Sequence, residues 1–284
     1  MRRLEVIGDP IDHSLSPALH TFIMKTLRLD GTYTRRRVTN RSELQAVIDD
    51  LRSGRLTGLN ITAPWKSEIG KYIDEFTAAA DQVGAVNTIK SDHGRLIGHN
   101  TDKDGFYRSI QELLQQHTVK SVAILGAGGA ARAVLGGVQQ LSPGQIRIIN
   151  RTVPNANRLV ELSKIDVPIE IMELTEHTVT DTFEWADLLI NTLPPQGRRV
   201  FSEVSFPKAG GDHPRFYYDL VYAIAYLGEV ERARTAGWQS RDGLDMLIYQ
   251  GIAAMEFWLD QSIGHSLDIN DMRKALRNAE KALS

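Results

Sequence analysis

The chain contains no cysteine, which excludes a disulfide framework, a thiolate nucleophile and a zinc site with cysteine ligands. It has no long hydrophobic run: the apolar stretch at residues 4–8 is far too short for a signal peptide, and no segment approaches the length of a membrane span. Neither sign of charge dominates, since the formal net charge is -2 at pH 7. We therefore expect a cytoplasmic protein that binds neither a membrane surface nor nucleic acid.

The composition is typical of a globular protein. The 284 residues, 42% hydrophobic and 24% charged, are enough for two ordinary domains. Toward the N-terminus, strands predicted at residues 4–8, 32–38 and 58–62 alternate with helices, the first of which we expect Ser16 to cap, with Pro17 at its first position. Such alternation predicts parallel pairing of the strands, with ligands at their carboxyl ends. The one dense basic cluster, residues 35–37, is interpreted as a solvated sheet edge.

A glycine-rich turn at residues 126–131 follows a short apolar strand predicted at residues 121–125 and precedes a helix. Gly126, Gly128 and Ala131 form the pattern G-x-G-x-x-A, which in this context binds the pyrophosphate of a dinucleotide. Gly126 allows the sharp turn, Gly128 has no Cβ to hold the pyrophosphate away, and the N–H groups at the helix start attract phosphate. The alternative is a glycine-rich helix entry without a ligand. The residues expected to contact the cofactor are Gly126, Ala127, Gly128, Gly129 and Ala130.

The fold class predicted is α/β with two domains. A hairpin over residues 86–100 leads into a helix near Thr101, which we interpret as the joint between the domains. The succession after the glycine turn is that of a Rossmann fold, and the helices that follow it return to the first domain. Further strands are predicted at residues 145–150, 168–172, 187–191 and 217–221, and helices at residues 156–164, 229–236, 244–260 and 269–283. The predicted boundaries are residues 1–104 with 247–284 for a substrate-binding and catalytic domain with a mostly parallel sheet, and residues 105–246 for the dinucleotide domain.

The end of the second strand of the dinucleotide domain indicates which cofactor is used. An acidic residue there would bind the ribose hydroxyls of NAD, whereas arginine accommodates the 2′-phosphate of NADP. The strand ends in Asn150, Arg151 and Thr152, with no acid, so NADP is favoured. The alternative is an exposed arginine at a strand end.

Two strand-end segments, residues 58–66 and 98–102, are candidates for the proton donor that a hydride-transferring enzyme needs. Lys66 lies just past one strand end, and Asp102 is a carboxylate that could hold and orient its ammonium group. The residues alone leave open whether the two meet. The histidines near these segments have no metal-ligand spacing, so we expect no metal site.

Several ordered motifs resemble the shikimate dehydrogenase family. They read G-D-P-I-D-H-S-L-S-P-A-L-H at residues 8–20, G-L-N-I-T-A-P-W-K at 58–66, G-A-V-N-T at 84–88, N-T-D-x-x-G-F at 100–106, G-A-G-G-A-A-R-A at 126–133 and G-L-D-M-L-I-Y-Q at 243–250. The resemblance spans nearly the whole chain. It implies reversible reduction of 3-dehydroshikimate to shikimate by NADPH, a step of chorismate and aromatic amino acid biosynthesis.

The resemblance also implies a role for individual residues. Lys66, positioned by Asp102, would be the acid-base group, and Ser14 and Ser16 would hold the substrate carboxylate. Residues that would bind the ring hydroxyls are Thr62, Asn87, Asp102 and Gln250, with Tyr222 near the substrate and Leu220, Gly243 and Met246 lining the nicotinamide side. The expected partners are the small-molecule substrate and, at most, a second copy of the chain in a homodimer.

Three positions depart from the family's usual pattern. The family has N-x-T-x-x-G-M after the fourth strand of its dinucleotide domain, whereas residues 191–198 end in Gly197 and Arg198, without methionine. The proline of D-x-V-Y-x-P is absent from residues 219–226, and Asn155 stands where a second arginine is common. These differences bear on cofactor preference and substrate choice, and they leave the fold prediction unchanged.

Two other functions compete with this one. A quinate/shikimate dehydrogenase, or a similar enzyme for a related cyclohexane carboxylate, could keep Lys66 and Asp102 and use NAD. A catalytically idle nucleotide sensor would have no need of Lys66, Asp102 and Gln250. The related methylene-tetrahydrofolate dehydrogenase type is disfavoured by the H-S-x-S-P motif.

Overall fold

A computed structural model describes residues 1–163, 165–202, 204–210 and 213–283. The chain forms two compact units, one of Met1–Gly105 with Leu247–Ser284 and the other of Phe106–Met246. Each contains one six-stranded sheet. The α/β fold class and the return of the C-terminal helices to the first unit are confirmed.

The sheet of the first unit has the strand order β2-β1-β3-β5-β6-β4. Strand β1, next to the edge strand β2, pairs in parallel with β2 and β3, and β4 pairs in parallel with β6. The predicted hairpin is β5 and β6, which pair antiparallel. The strands are β1 (Arg2–Gly8), β2 (Gly31–Arg37), β3 (Gly58–Ile61), β4 (Glu75–Phe76), β5 (Thr88–Asp92) and β6 (Arg95–His99).

The basic cluster of residues 35–37 lies on the edge strand β2, as predicted. Two of its arginines are ion-paired: Arg36 Nη2 lies 2.9 Å from a carboxylate oxygen of Asp50, and Arg37 Nε lies 2.7 Å from one of Asp9. Because these charges are already partnered within the fold, the cluster is a solvated edge.

The helices of the first unit begin with α1 (Ser16–Thr26), α2 (Arg41–Arg52) and α3 (Ala78–Val83), and α4 (Asp102–Leu114) starts in this unit at Asp102 and continues into the second from Phe106. The expected cap at Ser16 is wrong by one residue. Leu15, whose backbone is already in the helical region, is the N-cap, and Ser16 is the first helical residue. The Oγ of Ser14 accepts the Ser16 N–H at 3.3 Å, so the serine two residues upstream takes the capping role.

The second unit is an all-parallel Rossmann sheet with the strand order β12-β11-β10-β7-β8-β9. Its strands are β7 (Ser121–Leu125), β8 (Gln145–Asn150), β9 (Ile169–Glu173), β10 (Leu188–Asn191), β11 (Phe216–Asp219) and β12 (Gln239–Arg241). Its helices are α5 (Gly129–Gln139), α6 (Val153–Glu161), α7 (Glu176–Trp185), α8 (Arg199–Ser202) and α9 (Gly228–Thr235).

Three helices of this unit differ from the prediction by more than one residue, among them the short α8, which was not predicted. Helix α6 begins three residues before the predicted start at residue 156, because Pro154 lies in its first turn, where proline is tolerated. Helix α7 was not predicted, although Thr175 and Thr178 form a capping box at its start. Threonine in place of glutamate or glutamine at the third position made that signal easy to miss.

The chain ends in α10 (Leu244–Leu259) and α11 (Ile269–Leu283). Helix α11 packs against α1 of the first unit. No helix in the described part of the chain is both long enough and apolar enough to cross a membrane.

Candidate functional site

Lys66 and Asp102 meet in the first unit. Lys66 lies in a 3-10 turn (Trp65–Ser67) soon after β3, a turn anchored by a 2.7 Å hydrogen bond from Trp65 Nε1 to the carbonyl oxygen of Val38. Asp102 is the first residue of α4. The Nζ of Lys66 donates to Oδ2 of Asp102 at 2.7 Å, and the two side chains are 26% and 14% exposed. The pair is therefore only partly shielded from solvent, and the ammonium remains accessible.

Asn87 orients the other oxygen of this carboxylate. Its amide Nδ2 donates to Oδ1 of Asp102 at 2.8 Å and to Oγ1 of Thr101 at 2.9 Å. Its Oδ1 accepts the N–H of Thr101 at 2.9 Å and the hydroxyl of Thr88 at 3.0 Å. Because every polar atom of this buried amide is engaged, the side chain has one orientation, and the carboxylate of Asp102 is held from both sides.

A buried hydrogen-bond chain continues from Thr88 to the edge strand β2. Asn60 Nδ2 donates to Thr88 Oγ1 at 2.9 Å, and the hydroxyl of Tyr33 donates to Asn60 Oδ1 at 2.7 Å. Burial raises the pKa of Tyr33 well above its usual range, an effect that a hydrogen bond from Ser16 opposes. Tyr33 therefore stays a protonated donor, and the chain connects Ser16 to the Lys66 pair.

Sequence reasoning missed Tyr33, Asn60 and Thr88. One signal was present: Asn60 is a polar residue within the otherwise apolar run of β3. A polar side chain at a buried strand position needs a partner, and here the partners come from two other strands.

The remaining residues predicted to bind substrate are placed by close backbone approaches. A Cβ on Gly8 would lie 2.4 Å from Cγ2 of Thr62, so glycine lets Thr62 approach the end of β1. A Cβ on Gly105 would lie 2.8 Å from the backbone N of Gln250, so α10 passes close to α4 one turn after Asp102. Ser14 and Ser16 contact each other at the start of α1.

Tyr222, in contrast, belongs to the second unit, in the segment that follows β11.

The glycine turn of the second unit has the geometry that its motif predicts. Gly126 has a φ of +100°, and a Cβ there would lie 2.6 Å from Oγ1 of Thr192. Gly128 is the N-cap of α5 and makes no side-chain capping bond, and a Cβ on Gly128 or Gly129 would meet no atom of the described residues within 4 Å. Open space in front of an uncapped helix start fits the pyrophosphate of a dinucleotide. Ala131 is fully buried, so the helix lies close to the sheet.

The end of β8 adjoins this turn. Asn150 Oδ1 accepts the N–H of Ala127 at 3.1 Å, and its Nδ2 donates to the carbonyl oxygen of Thr152 at 2.8 Å. Asn150 therefore ties the glycine turn to the loop after β8, while Arg151 is exposed to solvent. An exposed guanidinium beside this glycine turn fits the additional phosphate of NADP.

The residues expected on the nicotinamide side also come together in the second unit. A Cβ on Gly243 would lie 2.0 Å from the carbonyl oxygen of Leu220, so only glycine allows this approach. Met246 is 9% exposed, and both Met246 and Leu220 belong to one apolar cluster of the unit.

Among the residues that the structure describes, no group of three or more histidine, aspartate or glutamate side chains is arranged to hold a metal ion. Asp102, Asn87 and Lys66 are the group most closely joined.

Comparison with known proteins is consistent with this geometry. The family model for the shikimate dehydrogenase substrate binding domain matches residues 6–89. A shikimate dehydrogenase (NADP(+)) of Desulfitobacterium hafniense is 36% identical over 287 residues, covering 98% of this chain and 98% of that protein. The chain belongs to the shikimate dehydrogenase family.

Two solved structures of the shikimate dehydrogenase family resemble this fold over their whole length. One is a shikimate 5-dehydrogenase from Listeria monocytogenes in complex with shikimate and NAD, with 30% identity, a TM-score of 0.82 and coverage of 97% of this chain and 96% of that chain. The other, from Thermus thermophilus in complex with NADP(H) and shikimate, has 29% identity, a TM-score of 0.75 and coverage of 98% and 100%.

Proposed function

We propose that this protein is an NADP-dependent shikimate dehydrogenase that reversibly reduces 3-dehydroshikimate to shikimate. The observation that carries the proposal is the 2.7 Å contact between Lys66 and Asp102 in a chain whose relatives are shikimate dehydrogenases. In this assignment the first unit binds substrate and provides the acid-base group, and the second unit binds NADP.

Lys66 is the catalytic residue in this proposal. Its ammonium donates a proton to the oxygen at C3 of 3-dehydroshikimate as that oxygen becomes an alkoxide, and the amine accepts the proton in the reverse direction. Asp102, held by Asn87, keeps the ammonium in place through the 2.7 Å contact. General acid-base catalysis of this kind contributes roughly 10²–10⁴-fold to the rate.

Substrate recognition uses hydroxyl and amide groups. Ser14 and Ser16 donate hydrogen bonds to the substrate carboxylate, which needs no buried countercharge for this. The ring hydroxyls bind to side chains around the Lys66 pair. We assign these contacts to Thr62, Asn87, Asp102 and Gln250, with Tyr222 near the ring.

NADPH, when bound, supplies the hydride for the reduction. The turn from Gly126 to Ala130 would hold its pyrophosphate, and Asn150, Arg151 and Thr152 its adenosine phosphate. Leu220, Gly243 and Met246 would line the nicotinamide and keep water from that side.

Steady-state assays with a panel of substrates and cofactors test the proposal. Shikimate and quinate are each assayed with NADP and with NAD, and kcat/KM is compared across the four pairs. The proposal requires the highest kcat/KM for shikimate with NADP. A higher value for quinate with NAD would overturn it.

A quinate/shikimate dehydrogenase that accepts NAD is the second candidate. The departures at residues 191–198 and 219–226 favour it, as does the NAD bound to the relative from Listeria monocytogenes. NADPH binding without turnover of any cyclohexane acid would instead indicate a nucleotide sensor.

We place the proposed enzyme in the cytoplasm, as a monomer or homodimer, within the biosynthesis of chorismate and aromatic amino acids. Sedimentation velocity of the purified protein measures the oligomeric state directly. A larger assembly would contradict this part of the proposal.

A further inference from the structure

One buried ion pair joins the two loops that depart most from the family's pattern. Arg198 follows the loop after β10, Asp219 ends β11, and their side chains are 6% and 0% exposed. Arg198 Nη1 donates to Oδ2 of Asp219 at 2.8 Å, and Nη2 donates to Oδ1 at 2.6 Å. Both ends of the guanidinium fork are thus matched to both carboxylate oxygens, which is the strongest geometry for such a pair.

The same guanidinium also binds the backbone of both loops. Its Nε and Nη2 donate to the carbonyl oxygen of Leu193 at 3.3 and 3.1 Å, and Nη1 donates to the carbonyl oxygen of Tyr226 at 3.4 Å. A carboxylate oxygen of Glu229 lies 3.7 Å from Nη1. Only a planar side chain with several donors can make this set of contacts, so lysine is not equivalent here.

Asp219 extends the network to the first residues of each loop. Its Oδ1 accepts the N–H of Val221 at 2.9 Å, and its Oδ2 accepts from the hydroxyl of Tyr217 at 2.8 Å and from Asn191 Nδ2 at 3.1 Å. The Oδ1 of Asn191 accepts the N–H of Leu193 at 3.0 Å. The N–H groups of Leu193 and Val221 therefore report whether the loops are held.

These loops lie at the strand ends where the glycine turn begins. A Cβ on Gly126 would lie 3.0 Å from Cδ2 of Leu193, and the Thr192 hydroxyl donates to the carbonyl oxygen of Leu125 at 2.8 Å. Because Arg198 holds Leu193, it fixes backbone that lies beside the carboxyl ends of three parallel strands, β7, β10 and β11.

We propose that Arg198 is a positioning residue that fixes these two loops, where the family's pattern has a methionine and a proline turn. Its buried fork holds residues 192–197 and 220–226 in one arrangement and so places Leu220 and Tyr222. That Leu220 lines the nicotinamide and Tyr222 lies near the substrate ring rests on the proposed function. The ordering of the loops by Arg198 does not.

Hydrogen exchange of individual amides tests the ordering without any ligand. In Arg198→Met, we expect the amides of Leu193 and Val221 to exchange at least about tenfold faster than in the wild type, which corresponds to the loss of a single hydrogen-bonded anchor. The amides of the central strand β7 keep their wild-type rates. Wild-type exchange at Leu193 and Val221 would overturn the proposal.

Arg147→Met is the matched control for the loss of a paired arginine. Arg147 lies in the same unit, is 14% exposed, and contacts Glu170 at 2.7 Å and Asp181 at 2.9 Å, but it lies on β8 away from both loops. We expect this variant to leave the two reporter amides and the KM for NADPH unchanged. If it accelerates the same amides, the effect is general destabilisation and the proposal is wrong.

Two further variants separate the fork from the charge. Arg198→Lys keeps the positive charge but loses the two-pronged guanidinium geometry. The double variant Arg198→Met with Asp219→Asn serves if Arg198→Met does not fold, because it also removes the carboxylate charge that Arg198→Met leaves buried without a partner. Both are expected to show faster exchange at Leu193 and Val221. Slow exchange in either would overturn the proposal.

Kinetics then connect the ordering to the proposed function. In Arg198→Lys we expect the KM for NADPH to rise by about tenfold, because Leu220 lines the nicotinamide, and the KM for shikimate to rise by a smaller factor, because Tyr222 alone of the residues that Arg198 places lies near the ring. Wild-type protein inactive on shikimate would contradict the proposed function and leave the exchange result standing. A KM for NADPH that stays at the wild-type value despite faster exchange would contradict the placement of Leu220 by Arg198.

Discussion

In the first unit the candidate proton donor is held by side chains, whereas in the second unit the candidate phosphate site consists of backbone. Lys66 and Asn87 donate hydrogen bonds to the two carboxylate oxygens of Asp102 at 2.7 and 2.8 Å. At the turn of the second unit, by contrast, a Cβ on Gly128 would meet no atom of the described residues within 4 Å, and α5 starts without a side-chain cap.

The difference follows from the two tasks. Proton transfer needs one titratable atom at one place, so its holder must be rigid and hydrogen-bonded on every side. A pyrophosphate spreads its charge over several oxygens and is bound by N–H groups and a helix dipole, so side chains there would only obstruct it. Substitutions should therefore act on turnover in the first unit and on cofactor affinity in the second.

The largest effect is expected for Lys66→Ala. Loss of the proton donor should lower kcat by roughly 10²–10⁴-fold with little change in the KM for shikimate. Lys71→Ala is the matched control, because Lys71 lies in the next short helix, is 65% exposed and forms a surface ion pair with Glu68 at 3.6 Å. A kcat of Lys66→Ala near the wild-type value would show that its role is wrongly assigned.

Tyr33→Phe tests whether the buried chain behind Asp102 matters for turnover. The substitution leaves Asn60 Oδ1 without its donor, so the free energy of unfolding should fall by about 1–3 kcal/mol and kcat should fall severalfold. Urea unfolding and steady-state kinetics measure the two effects.

Tyr218→Phe is the control for Tyr33→Phe in the other unit. The buried hydroxyl of Tyr218 hydrogen-bonds to that of Ser109 at 2.7 Å. This variant should lose stability and keep its kcat for shikimate. Equal losses of kcat in both variants would contradict the expected difference between the two units.

Gly128→Ala tests the backbone site. Its φ is -82°, and the new methyl group enters open space, so the free energy of unfolding should not fall. The methyl group would nevertheless occupy the approach of the pyrophosphate, and the Kd for NADPH should rise by about tenfold, or about 1.4 kcal/mol. Isothermal titration calorimetry measures the Kd. An unchanged Kd would show that the turn does not belong to the cofactor site.

Lowering the pH is expected to have a smaller effect, a loss of stability that arises in the first unit. His20 is fully buried between Tyr33 and Trp258, neither of its ring nitrogens has a hydrogen-bond partner among the residues that the structure describes, and burial lowers its pKa to about 3. In the unfolded chain its pKa is near 6.5. Between these values the unfolded state binds one more proton, so the stability falls as the pH falls.

The contribution of His20 can be isolated by substitution. Between pH 6.5 and 5.5 it should lower the free energy of unfolding by about 1 kcal/mol, a loss that His20→Phe abolishes. His93→Gln, at a side chain that is 99% exposed, should leave the pH dependence as in the wild type. Urea unfolding at the two pH values measures the difference, and parallel pH profiles of wild type and His20→Phe would contradict it.

Much of the second unit's fold could be predicted from the sequence because its signals are local. Strands β7 and β8 begin and end at the predicted residues, since each is a short apolar run between turn residues. The start of α1 was misplaced by one residue and α7 was missed, because both depend on capping geometry that short polar residues permit in several ways.

The turn of Gly126 to Ala131 was the most predictable functional element. The pattern needs three small residues at a set spacing: one for the sharp turn, one for the open approach and one for the close packing of the helix. All three residues lie within one stretch of chain. By itself, the sequence thus determined the glycine turn after β7, the residues at the end of β8 and the succession of strands and helices.

Only the tertiary structure decided which distant side chains meet. Lys66 and Asp102 are 36 positions apart, Tyr33 reaches Asn60 across 27, and Arg198 reaches Asp219 across 21. Such contacts depend on strand order and register, which bring the ends of non-consecutive strands side by side. Residue types along the chain specify what each group can do, and the packing of the sheets specifies with which partner it does so.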